Sequence, residues 1–157
     1  MFFYPDCGKQ LPQIGNNQSQ ECYMSGFKIT FPGNKKVDIA FNNYKIRTDQ
    51  SKENGGDETA PEPFDIFVSS IGACAGIYAK SFCDVRKLST DHMYIFVDVS
   101  LKEGQKLMEE VTITLHVNQQ FPEKYIKAII KAMDFCSVKN QLHPDIKTNT
   151  AVAYLDQ

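Results

Sequence analysis

The stretch from Phe64 to Leu88 limits what this chain can fold into more than any other. Ile66, Phe67, Ile71, Cys74, Ile77, Tyr78, Phe82 and Val85 recur at helical spacing, and no charged residue stands between Val68 and Lys80. Ser69, Ser70, Gly72, Ala73, Ala75 and Gly76 keep its middle small as well as uncharged. A helix with so thin a polar face must be buried on nearly every side. Gly72 and Gly76 would each cost about 1 kcal/mol relative to alanine in an exposed helix, so close approach by another element is the expected compensation. Pro63 suits the first turn, where its missing N–H loses nothing. A few strands from a 157-residue chain cannot cover such a helix. The pattern therefore predicts an obligate, intertwined homodimer with the helices from Pro63 to Leu88 at its shared centre.

Strand signals surround this helix. Phe27, Ile29 and Phe31 alternate with Lys28 and Thr30, Pro32-Gly33-Asn34 turns the chain, and Val37, Ile39 and Phe41 form the second arm of a hairpin. Asn42-Asn43 then breaks the run, and Tyr44 to Thr48 is a bend or a third strand. A polar loop from Asp49 to Glu62 carries Gly55-Gly56. Beyond the helix, Tyr94–Leu101 and Val111–Val117 read as strands joined through Gly104, the second alternating Val111, Ile113, Leu115, Val117 with polar residues. Pro122 opens a second helix with an Ile126, Ile129, Ile130, Met133 stripe, ending near Cys136. Residues 138–143 read as a further helical turn or two, and Pro144 sends the chain into a last strand at Ala151–Leu155. The order predicts an α+β fold with mostly antiparallel sheet. Residues 1–22 read as an irregular arm and 23–157 as the folded domain.

A net charge of -2 with interspersed signs and two arginines, Arg47 and Arg86, argues against nucleic acid as partner. No apolar run approaches the roughly 20 residues of a membrane span. The opening Met-Phe-Phe-Tyr run lacks a basic flank and is short for a secretory signal, so a cytoplasmic protein with reduced thiols is expected.

Five cysteines, Cys7, Cys22, Cys74, Cys83 and Cys136, form no C-x-x-C pair, and His92, His116 and His143 stand apart from them. This disfavours a disulfide scaffold and a metal site, and no cofactor is expected. Cys74, among glycine and alanine, suits either a small core residue or a reactive thiol. Cys136, at a helix end where the chain turns back, is free to approach another element. Cys83 is a poorer partner for Cys74, because nine residues at ~100° each set it about half a turn away.

Gly55-Gly56 with Pro61, the run from Pro63-Phe64-Asp65-Ile66 to Gly72-Ala73-Cys74, and Cys136-Ser137-Val138-Lys139-Asn140-Gln141-Leu142 together resemble the OsmC/Ohr family of cysteine-based peroxidases. The likeness spans about residues 24–155. It implies an intertwined α+β dimer in which Cys74 is the peroxidatic cysteine and Cys136 the resolving one. It further implies an organic hydroperoxide as substrate and an external dithiol as reductant. The family's arginine in the first hairpin and glutamate just after the helix-opening proline are unmatched. The hairpin holds Lys28, Lys35 and Lys36, and Phe64 then Asp65 follow Pro63. Arg47 and Asp65 are the candidates for activating Cys74, with Phe64, Phe67, Ile71 and Ile77 as apolar walls and Lys139 and Asn140 as rim residues. The other readings are a non-catalytic dimer of this fold binding a small apolar ligand, and a sulfur-handling or redox-sensing protein using the same pair.

Overall fold

The computed structural model describes residues 26–155, which divide between Ala60 and Pro61 into two compact units. The expected arm, with Cys7 and Cys22, lies outside the described residues.

The first unit is an antiparallel meander of β1 (Lys28–Gly33), β2 (Lys36–Phe41) and β3 (Tyr44–Thr48). Asparagine, which tolerates the left-handed region, makes both turns: Asn34 has φ 48° and Asn42 φ 50°. Asn42-Asn43 therefore reverses the chain, and Tyr44–Thr48 is a third strand. Phe41 packs between Phe27 and Tyr44, with ring centroids 5.1 and 5.7 Å away.

The following loop closes around Asp49, whose side chain is fully buried. Its carboxylate accepts the Thr59 N–H at 3.0 Å, the Thr59 hydroxyl at 2.7 Å and the Gln50 N–H at 2.9 Å. The N–H of Thr59 does most to hold the Asp49 carboxyl at about 2, against the opposing pull of burial; the Thr59 hydroxyl and the N–H groups of Gln50 and Asp57 add to it. The glycine pair has a steric cause here: a Cβ on Gly56 would fall 2.0 Å from the Gln50 carbonyl oxygen, and Gly55 has φ 81°. A depressed carboxyl pKa stabilises the fold above the unfolded value, near 3.8, and that contribution is lost as pH falls toward 2. Asp49→Asn is therefore expected to lower the melting temperature at pH 7 and to flatten its dependence between pH 4 and 2. Parallel acid limbs in wild type and variant would show that Asp49 does not carry this dependence.

The second unit runs α1 (Pro63–Arg86), β4 (Tyr94–Leu101), β5 (Met108–Val117), α2 (Ile126–Met133) and β6 (Lys147–Tyr154). Pro63 opens α1, and Asp65 accepts the Glu62 N–H at 3.0 Å, satisfying one end-group of the first turn. The helix stops at Lys87, in the left-handed region at φ 56°, where the Leu88 N–H returns to the Cys83 carbonyl at 3.0 Å. The sheet order is β4-β5-β6. Its β4–β5 pair is antiparallel, whereas β6 lies parallel to β5 because α2 forms the crossover between them. With the meander, the described sheets are thus mostly antiparallel, as the pattern predicted. Strand β5 starts three residues earlier than expected and β6 four residues earlier; the α-helix proper of α2 follows a 3-10 turn at Glu123–Tyr125.

Val111, Ile113, Leu115 and Val117 of β5 face inward onto Ile71, Ala75, Phe82 and Cys83 of α1 and Ile129 and Met133 of α2. Gly72 lets α1 settle on β4, since a Cβ there would lie 2.7 Å from Val97 Cγ2; at Gly76 a Cβ would make only ordinary contact, 3.5 Å from Ile95 Cδ1.

One expectation about α1 is corrected. By length and composition it is apolar enough to cross a membrane, contrary to the reading that no stretch is; the four charged residues inside it, Asp65, Lys80, Asp84 and Arg86, sit near its ends. Its own chain does not cover it, as the sequence leads us to expect: Phe64, Phe67, Ile77 and Val85 are exposed. The apolar period marks two faces, and the core of the second unit takes up one.

Candidate functional site

Cys74 sits at the middle of α1, partly buried, on a helix face turned toward the chain leaving α2. After Met133 that chain tightens: the Asp134 N–H returns to Ile130, Phe135 to Ala132 and Cys136 to Met133. A 3-10 turn at Lys139–Gln141 then reverses it toward β6. Cys136 is fully buried inside this reversal. The Lys139 N–H has left the α2 ladder and donates to the Cys136 sulfur, and the N–H groups of Ser137 and Val138 stand close enough to Cys74 to favour its thiolate.

Ser137 Oγ lies 3.7 Å from Cys74 Sγ, the Lys139 N–H donates to Cys136 Sγ at 3.3 Å, and the two thiols are near enough for each to shift the other's ionisation. Cys136 Sγ also lies 3.7 Å from the Ile71 carbonyl oxygen, so its proton has a second acceptor when Cys74 is neutral.

The sulfurs are electrostatically unequal. Burial raises the Cys74 thiol, but the Val138 N–H, the Cys136 thiol and the hydroxyl and N–H of Ser137 outweigh it, and the net shift is downward. Burial pushes the Cys136 thiol up, and the adjacent Cys74 sulfur adds to this by holding its proton; the N–H groups of Lys139 and Val138 offset only part. The first proton lost from the pair leaves a thiolate centred on Cys74, solvated by backbone dipoles and by Cys136. Such an arrangement can perform nucleophilic attack followed by thiol condensation without a cation against the sulfur.

Arg47 is an exposed residue of β3 in the first unit, opposite Asp38, whose carboxylate pairs with Lys45 at 2.5 Å. The Asp65 side chain is engaged at the start of α1. Phe64 and Phe67 stack on each other with centroids 6.1 Å apart, both about half exposed. Phe64, Asp65, Gly72, Gly76, Lys80 and Val97 border a groove of about 810 Å³ between α1 and β4, which neither Cys74 nor Cys136 lines. Asn140 is exposed. The Lys139 side chain, which the sequence suggests is solvated, is 9% exposed and bonded to Asp134 and Thr150. Sequence reasoning missed Ser137, Val138, Asp134 and Thr150. Their only prior signal is their place beside Cys136 or across the fold from it. Among the described residues, no group of three or more His, Cys, Asp or Glu is placed to hold a metal ion.

The family model for OsmC-like protein matches residues 55–151. No curated protein matches the sequence. Solved structures share the fold. A Psychrobacter arcticus protein, described by osmotic stress induction and detoxification response, superposes with TM-score 0.72 at 22% identity, covering 83% of this chain and 97% of its own. An OsmC-like protein from Mycoplasma pneumoniae gives TM-score 0.69 at 15% identity over 85% of this chain and 99% of its own. An organic hydroperoxide resistance protein from Elizabethkingia anophelis gives 0.60 at 16% identity over 85% and 97%.

Proposed function

We propose that this chain, which belongs to the OsmC-like protein family, is a thiol-dependent peroxidase that reduces organic hydroperoxides through Cys74 and Cys136. The observation that carries this reading is geometric: Cys74 on α1 faces the reversal that buries Cys136, with the neighbouring Ser137 Oγ 3.7 Å from Cys74 Sγ, and the Cys74 thiol is shifted down while the Cys136 thiol is shifted up. The Cys74 thiolate attacks the distal peroxide oxygen; the S–O bond forms as the O–O bond breaks, the alkoxide takes a proton and leaves as alcohol, and Cys74 becomes a sulfenic acid. Cys136 displaces hydroxide from that sulfur, which leaves as water after protonation, and the two-electron oxidation is stored in a Cys74–Cys136 disulfide. An external dithiol exchanges with it and restores both thiols.

The reading includes a homodimer, which the exposed Phe64, Phe67, Ile77 and Val85 of α1 favour, and a reducing cytoplasmic setting that keeps both thiols free. Neither nucleic acid nor a membrane is a partner: the net charge is -2, and the glycine face of α1 is seated on β4 rather than open to lipid. The groove between α1 and β4 favours a second reading, a non-catalytic dimer that binds a small apolar ligand.

Purified full-length protein should consume cumene or tert-butyl hydroperoxide with a dithiol such as dithiothreitol, and do so faster than it consumes hydrogen peroxide. Absence of turnover with all three would leave the ligand-binding reading in its place.

A further inference from the structure

We infer that Lys139, through Asp134 and Thr150, is a positioning residue that holds the 134–139 reversal in register against Cys74. The inference rests on the reading of Cys74 as the reactive thiol. The Lys139 main chain and side chain work on opposite sides of this reversal. Its N–H donates to Cys136 Sγ at 3.3 Å, while its ammonium donates to Asp134 Oδ1 at 2.5 Å and to Thr150 Oγ1 at 3.4 Å. The Thr150 hydroxyl donates to the same Asp134 oxygen at 2.7 Å, which closes a three-membered network.

Asp134 caps the end of α2, Lys139 begins the 3-10 turn, and Thr150 belongs to β6, fixed by its register opposite Ile113. The network therefore staples both ends of a six-residue reversal and anchors it to the sheet. Between the staples stand Ser137, whose Oγ lies 3.7 Å from Cys74 Sγ, and Val138; their N–H groups favour the Cys74 thiolate. A lysine head group with a 9% exposed side chain is costly to bury unless its position is fixed by partners, which gives the network a definite geometry. From the reversal Cys74 is faced by Cys136 and Ser137, and its own helix carries no charge from Val68 to Ala79, so Lys139 and Asp134 act on it through the backbone.

Iodoacetamide alkylation of Cys74 in the full chain, followed across pH by peptide mass, reads this without any peroxide turnover. Lys139→Met should move the alkylation midpoint up by about one pH unit, or roughly tenfold in rate near neutrality. Thr150→Val should move it less in the same direction, and Lys139→Arg, which keeps the charge, should restore it. If Lys139→Met does not fold, Thr150→Val decides alone. Folded variants with the wild-type midpoint overturn the inference, as does an arginine that behaves like methionine. A shifted midpoint in a protein without hydroperoxide turnover counts against the peroxidase reading alone; turnover with an unmoved midpoint counts against this inference alone.

Discussion

Cys74→Ser is expected to drop hydroperoxide consumption to the rate of buffer and dithiol alone. Oxygen replaces sulfur in nearly the same volume, but the serine hydroxyl is un-ionised near neutrality and oxygen does not climb the sulfenic ladder. The N–H groups of Ser137 and Val138 would still find an acceptor, so the site should keep its shape. Because Cys74 is only partly buried and its helix neighbours are small, the change in stability should stay within about 1 kcal/mol. The decisive comparison is therefore turnover against melting: activity lost while unfolding is unchanged. Equal peroxide loss in both proteins would remove Cys74 from the chemistry, and a variant that melts far below wild type would instead mark the sulfur as structural.

The sequence was most informative where a local rule and the tertiary demand coincide. Pro63 and the apolar period of α1 marked the helix to within two residues of its observed end, and Gly72 announced a close neighbour, whereas Gly76 leaves room for a Cβ. The direction of β6 was illegible: alternation reports which face is buried, not whether the strand runs with or against its partner. Lys139 misleads for another reason. A lysine after a helix end reads as solvated, and only the approach of Thr150, eleven residues on and in another element, turns it into a buried anchor. The means of lowering the Cys74 thiol was hidden in the same way. Side-chain types suggest searching for a cation such as Arg47, whereas the donors are backbone N–H groups and a second thiol that any sequence could supply and only this fold aims.

In the proposed peroxidase reading Cys136 has two roles that substitution can separate, and the second large effect is expected there. As resolving thiol, it would supply the sulfur that converts the Cys74 sulfenic acid into a disulfide; as neighbour, its thiol favours the Cys74 thiolate. Cys136→Ala removes both, while Cys136→Ser removes the sulfur and keeps a hydroxyl donor. After one equivalent of hydroperoxide without reductant, wild type should contain the Cys74–Cys136 disulfide, and both variants should instead accumulate a sulfenic acid on Cys74 that dimedone labels nearly completely. The pH dependence then divides them. A thiolate that has lost a donor is harder to form, so the Cys74 alkylation midpoint should rise in Cys136→Ala and stay near wild type in Cys136→Ser. Cys136 is fully buried and accepts the Lys139 N–H, so alanine also leaves that N–H without a partner and is expected to cost about 1–3 kcal/mol, readable by denaturant titration. Dimedone labelling of the wild type as complete as that of the variants would mean that the two sulfurs do not resolve one another, and midpoints equal to wild type in both alanine and serine would assign the activation of Cys74 to the N–H groups of Ser137 and Val138 alone.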